Sequence, residues 1–272
     1  MRPIDKRVIP SVSEGPGGKG GAKTQPQRAS PAPRSLATLG MTRVYDVVIP
    51  ARDEAPTIGA VIEAAYRAPH VGRVIVVDDG STDDTASVAR NAGAEIIKSK
   101  GNGSKALALA TGVAASTAEV LVFFDADILA AQPEHFFLLA APVLEGTAMM
   151  CCGLVDYGRR NAFYMRLPPI TGLRAVRREV FEAIPQAKLN GFQIEIMINE
   201  VIARAGMPAA IRVLPGIGHR SKVEKLGLWR GTRARIAMTG ELLHCLTFVP
   251  LWTYGSYLRN LTVLKSNATQ LS

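Results

Sequence analysis

Two acids one residue apart close an apolar run in Val120-Leu121-Val122-Phe123-Phe124-Asp125-Ala126-Asp127. Carboxylates at this spacing can share one hard divalent cation, Mg²⁺ or Mn²⁺, directly or through a water, and leave the cation's remaining positions to phosphate oxygens. Such a clamp stabilises the negative charge that builds on a departing diphosphate without any proton having to move. An isolated Asp-x-Asp is more often a solvated turn, but here two other apolar runs end in polar residues as well. One is Ile49-Pro50-Ala51-Arg52-Asp53-Glu54, the other Val76-Val77-Asp78-Asp79-Gly80-Ser81-Thr82-Asp83. In the second, Gly80 permits a tight turn and Ser81 or Thr82 can cap a helix. That leaves Asp78 and Asp79 without a purpose unless they accept hydrogen bonds from a base or from ribose hydroxyls.

The elements that must position these acids follow from the pattern around them. From Val44 short β-branched runs (VYDVVI, RVIVV, AEIIK, EVLVFF) alternate with helical stretches (IGAVIEAAYRA, DDTASVARNAG, ALALATGVAAS). Such alternation predicts an α/β fold with a mostly parallel sheet flanked by helices. Ligands of these sheets bind outside the carboxyl ends of the strands, where all three polar runs arrive. Pro133 is expected to open a further helix, TAMMCCGLV to form a fifth strand, and residues 156–169 to form an irregular loop over the site. ITGLRAVRREVFEAI then reads as strand and helix, EIMINEVIARAG as a helix and AAIRVLP as a strand, before two helical tail segments near 228–246 and 250–264.

Composition sets the outer bounds. The chain has 272 residues, 47% of them hydrophobic, enough for one packed catalytic domain. Its formal charge of +9 is uneven: residues 1–40 hold seven Lys/Arg against two acids and residues 216–272 eight against two, leaving seventeen against nineteen between them. A body without basic excess disfavours nucleic acid as a partner. Residues 1–40, rich in Gly, Pro and Ser, have the composition of disorder and lack a secretory apolar core, and Met41 stands as an alternative start. Three cysteines without a disulfide or zinc spacing point to a reducing, cytoplasmic setting. The expected organisation is therefore a basic segment 1–40, a catalytic domain 41–225 and a helical tail 226–272.

With these residues in place, the chain resembles the family 2 glycosyltransferases and their GT-A relatives, in which P-A-x-N-E, D-D-G-S-x-D and D-A-D elements follow in this order. The likeness spans roughly residues 44–225. It implies that Pro50, Ala51, Arg52 and Glu54 border the base of a nucleotide-diphosphate sugar, and that Asp79 holds the base or ribose. Asp125 and Asp127 would flank the diphosphate, with Asp127 on the metal. Asp53 stands where the family usually has Asn, and either side chain can hold a loop through its acceptor. Lys105, in Gly101-Asn102-Gly103-Ser104-Lys105, resembles the lysine of a G-G-K-G segment, with Ser104 and Ala106 where glycine is often found, and would compensate diphosphate charge; otherwise it is a surface lysine. Glu195 in Gly191-Phe192-Gln193-Ile194-Glu195 is similar to the G-Y-G-V-E element of glucosyl-3-phosphoglycerate synthases and would face sugar or acceptor as an orienting group or base. The plainer alternative is a glutamate favoured by the helix dipole. His219, among glycines after a strand, would complete the metal shell or simply hydrogen bond in its loop.

ITGLRAVRREVF also resembles the G-x-R-x-x-R-R stretch of polyprenyl-phosphate sugar synthases, which makes Arg174 the arginine expected to meet an acceptor phosphate and leaves Arg177 and Arg178 on a solvated helix face. The resemblance thus implies a metal-dependent transfer from a UDP- or GDP-sugar to an acceptor oxygen, on a small phosphorylated or a lipid-linked molecule. A nucleotidyltransferase lacks its glycine-rich loop here, and an inactive nucleotide-sugar-binding protein would not need both metal carboxylates. The tail LLHCLTFVPLWTYGSYL, with Trp252, Tyr254 and Tyr257 among basic residues, suits either peripheral contact with the inner face of the membrane or packing on the domain or on a second subunit.

Overall fold

A computed structural model describes residues 44–99, 103–165, 169–186, 189, 194–219 and 251–264, excepting the side chains of His219 and of residues 251–254. The apolar runs form β1 (Tyr45–Ala51), β2 (Val71–Asp78), β3 (Glu95–Lys98), β4 (Val120–Phe123) and β6 (Met150–Val155). Between them lie α1 (Ala55–Tyr66), α2 (Thr85–Asn91), α3 (Lys105–Ala115), the two-residue β5 (Ile128–Leu129) and α4 (Pro133–Leu144). A 3-10 turn (Gly158–Arg160) and α5 (Asn161–Tyr164) occupy the expected irregular loop. Then follow β7 (Arg174–Arg177), α6 (Arg178–Glu182), α7 (Ile194–Arg204), β8 (Ala209–Leu214), β9 (Gly218–His219), α8 (Leu251–Arg259) and β10 (Leu261–Val263).

The eight-stranded sheet runs β10-β8-β6-β7-β4-β1-β2-β3. Every pairing is parallel except those of β7, which runs antiparallel between β4 and β6. Strand alternation divides the core between two faces. Val47 and Ile49 of β1 face α1 and α4, with Phe136 and Leu139, while Val48 faces α3 together with Val77 and Leu109. Gly112 lets α3 approach the sheet, since a Cβ there would collide with Val48 and press on Val77.

Helix starts follow local chemistry. Ser104 accepts from Leu107 N at the start of α3, and Pro133 opens α4, whose His135 ring accepts from Gln132 N at 3.0 Å. The cap of α2 falls at Asp84 rather than at Ser81 or Thr82.

The tail departs from its helical expectation. The segment near 228–246 lies outside the described residues, but the later one breaks at Asn260 and returns as β10, parallel to β8 with Leu261 opposite Ala209. Tyr257 of α8 is 1% exposed, packed in the core cluster with Met150 and Ile198. Its burial removes it from any membrane interface. Among the described residues no helix is long and apolar enough to cross a membrane.

Candidate active site

The loops after β1 and β2 are tied to each other at the carboxyl edge. Asp53, at φ 55°, accepts from Thr82 N at 2.7 Å and from its hydroxyl at 3.1 Å, while its own N–H donates to Ser81 Oγ. Glu54 N donates to Thr85 Oγ1 and Ala55 N to Asp83 Oδ2. The aspartate in the place of the usual asparagine thus serves as a loop acceptor. Asp78 accepts from Ser81 N at 2.9 Å and so closes the turn; Asp79 accepts from Ser99 Oγ at 2.6 Å, and its N–H donates to Ala51 O. Pro50 and Ala51 close β1, and Arg52, Glu54 and Asp79 therefore stand on the two interlocked loops that follow β1 and β2. Arg52 reaches the loop before α3, where a Cβ on Gly103 would come within 3.1 Å of its guanidinium.

Lys105, the first residue of α3, reaches across to β4 and α7. Its Nζ lies 2.7 Å from Asp125 Oδ1 and 3.0 Å from Glu195 Oε1, so three residues from separate motifs meet at one ammonium. Lys105 is no surface lysine: its side chain is 19% exposed. Burial alone would lower its pKa, but the two carboxylates outweigh this and raise it above the ordinary lysine value. Burial would likewise raise the Glu195 carboxyl, and the Lys105 and Arg174 charges outweigh it and hold the group below the usual carboxylate range. Gly172 completes the cluster, because a Cβ there would overlap both Asp125 carboxylate oxygens and the Lys105 ammonium.

Asp127 follows on the same strand end, half-buried. Immediately after it, β5 pairs antiparallel with β9, with Ile128 opposite His219. The backbone of His219 is thus one residue in register from Asp127. Among the described residues no three His, Cys, Asp or Glu side chains gather as a metal group. The set nevertheless fits a hard divalent cation: carboxylate oxygens with a diphosphate to supply further oxygens are the donors Mg²⁺ and Mn²⁺ take. Asp125 Oδ1 is engaged by Lys105.

The arginines depart from expectation. Arg174, expected to meet an acceptor phosphate, is 1% exposed, and its guanidinium is engaged within the protein. Its guanidinium donates to Thr171 O (2.6 and 3.0 Å) and Glu195 O (3.2 Å), with longer contacts to Pro169 O and Asn199 Oδ1. Nor do Arg177 and Arg178 line a solvated face: Arg177 is buried and pairs with Glu119 at 3.1 Å, and Arg178 donates to Ala118 O and Val113 O. Arg159 and Arg160, beyond the end of β6, are exposed. Gly172, Thr171 and Asn199 were not anticipated from the sequence; the only signal was the Thr-Gly before an apolar strand.

A parallel sheet with interlocked nucleotide-edge loops, an Asp-x-Asp at the next strand end and a lysine–carboxylate cluster behind it define a metal-dependent glycosyltransferase of the GT-A type, using a nucleotide-diphosphate sugar. The chain belongs to glycosyl transferase family 2, whose model matches residues 46–200. It is 28% identical over 220 residues to the glucosyl-3-phosphoglycerate synthase of Mycolicibacterium paratuberculosis, covering 66% of this chain and 67% of that one. Two solved structures of the Mycobacterium tuberculosis enzyme superpose on it. One, in complex with Mn²⁺, UDP-glucose and phosphoglyceric acid, is 27% identical with a TM-score of 0.56; the other, with Mg²⁺ and UDP, is 28% identical with a TM-score of 0.57. Each covers 65% of this chain and 72% of its own. The expected Mg²⁺ or Mn²⁺ agrees with the metals in those two complexes.

Proposed function

We propose that the chain transfers glucose from UDP-glucose to a hydroxyl of a small phosphorylated acid of the 3-phosphoglycerate type. The observation that carries this reading is the convergence of Lys105, Asp125 and Glu195 beside the Asp127 strand end, in a family 2 fold whose relatives use that donor and acceptor. Arg52, Glu54 and Asp79 border the nucleotide. Lys105 exchanges a carboxylate for the diphosphate, and Glu195 orients the sugar or takes the acceptor's proton. Asp127, with His219, would hold the cation, which when bound supplies Lewis-acid stabilisation of the departing UDP. With Arg174 buried, the acceptor phosphate falls to the exposed Arg159 and Arg160.

A small acceptor is favoured over a lipid-linked one because Tyr257, expected at a membrane interface, lies in the core. The buried adjacent thiols Cys151 and Cys152 suit a reducing cytoplasm. The second subunit expected to cover the tail, in a homodimer, concerns residues that lie largely outside those described. The test is UDP release from UDP-glucose with Mn²⁺, with 3-phosphoglycerate or unphosphorylated glycerate as acceptor. Phosphate-dependent stimulation is expected; release from GDP-glucose alone, or equal stimulation by both acids, would overturn the donor or acceptor assignment. Flotation on anionic liposomes at low salt should leave the protein in the soluble fraction, and comigration with the vesicles would restore the lipid-linked acceptor.

A further inference from the structure

We propose that Arg174 is a positioning residue for transfer: it straps the first turn of α7, and with it Glu195, to the loop that presses Gly172 against Asp125 and Lys105. The proposal rests on the reading that Glu195 stands at the reacting sugar.

Arg174 is the first residue of β7, with its Cα opposite Phe123 of β4 on one side and Cys152 of β6 on the other. Its side chain folds back on its own loop, where Nε and Nη2 donate to Thr171 O. Nη1 reaches α7 and donates to Glu195 O. Asn199, one turn further along α7, completes the strap: its Nδ2 donates to Pro169 O at 2.9 Å, and its Oδ1 lies 3.5 Å from Arg174 Nη1. Two side chains therefore join the loop 169–172 to the start of α7.

The strap closes a circuit through the active site. Glu195 pairs with Lys105, Lys105 with Asp125, and Asp125 lies against Gly172 on the strapped loop. A guanidinium suits this task because its planar fork meets carbonyls from two segments at fixed angles, and its charge persists at every working pH. Buried at 1% exposure, it also places a fixed positive charge behind the Glu195 carboxylate. Reaction geometry is sensitive to small shifts: a displacement of about 1 Å can cost on the order of a hundredfold in rate. A residue that touches neither donor nor acceptor thereby acts on turnover rather than on binding.

The experiment compares full-length Arg174→Met, Arg174→Lys and Asn199→Ala with wild type in Mn²⁺-dependent UDP release from UDP-glucose, with and without 3-phosphoglycerate. For Arg174→Met, kcat should fall about tenfold or more while both KM values stay within about twofold, the pattern of an interaction made in the transition state. Arg174→Lys should recover part of the rate. Asn199→Ala should show a smaller loss in the same sense, and it carries the test if Arg174→Met does not fold. Acceptor-free hydrolysis provides the same comparison whatever the acceptor. A KM for 3-phosphoglycerate raised about tenfold with kcat retained would instead make Arg174 a phosphate ligand and overturn the proposal, as would unchanged kinetics in folded variants. Glu195→Gln separates the two levels: full activity there defeats the underlying reading, whereas a loss there with unchanged Arg174 and Asn199 variants defeats the strap alone.

Discussion

Lys105 Nζ lies 2.7 Å from Asp125 Oδ1, joining the start of α3 to the end of β4. The same ammonium holds Glu195 at 3.0 Å, so neutralisation of the site is built into the protein before any substrate arrives. Removing one partner of a buried pair strands the other charge, at a cost of about 3–5 kcal/mol.

Lys105→Met should therefore destabilise the protein most near neutral pH. The Glu195 carboxyl is held below its ordinary value, so its contribution is present above the unfolded value of about 4.3 and is lost as pH falls through the depressed one. The Lys105 ammonium is raised, so its contribution is complete below about 10.4 and is lost only at higher pH. In the variant, burial pushes Glu195 upward without the lysine to oppose it, and protonation on acidification relieves the penalty. Thermal melts at pH 7.5 and pH 5 should show a smaller gap from wild type at pH 5. An equal gap at both would mean that the carboxylate is not stranded.

Gly172→Ala adds one methyl group where Asp125 and Lys105 already stand. Overpacking of this kind costs about 1–3 kcal/mol, and here the displaced atoms belong to the site. Turnover should fall further than stability does. Wild-type kinetics in the alanine variant would show that the loop yields freely.

Tyr257→Ala empties a fully buried aromatic position beneath α8. A loss of about 3 kcal/mol, read by denaturant unfolding, is expected if the tail is part of the catalytic unit. A change under about 0.5 kcal/mol would return α8 to the status of an appendage.

Deleting residues 1–40 should leave the melting temperature within about 3 °C, the scale of about 1 kcal/mol in a domain of this size. Their composition offers no apolar face to bury. A larger drop would assign them contacts with the catalytic body.

The sheet was legible because β1, β2 and β4 carry short, buried apolar runs rich in β-branched residues: VVI, VIVV and VLVF. The same does not hold for β5, β9 and β10, which are two or three residues long and owe their existence to partners rather than to any period. Asp125, Glu195 and Lys105 were named from the sequence separately; that they form one cluster depends on how α3 and α7 cross the sheet edge. The arginines mark the limit most sharply. An exposed guanidinium and one that gathers main-chain carbonyls have the same letter in the sequence, and burial is what distinguishes Arg174 from Arg159. Gly172 was silent for a related reason: its function is the absence of a side chain beside Asp125.

In the proposed function a cation held through Asp127 supports the departure of the nucleoside diphosphate. That role is tested most directly by Mn²⁺-dependent UDP release from UDP-glucose in wild type and Asp127→Asn, with melting temperatures measured alongside. Because Asp127 lies half-buried at a strand end rather than in the core, the variant should melt within about 3 °C of wild type, less than about 1 kcal/mol, and release no UDP above background. Wild type should lose its activity in excess EDTA and regain it on adding Mn²⁺. Undiminished release in EDTA, or a fully active Asp127→Asn protein, would contradict the account.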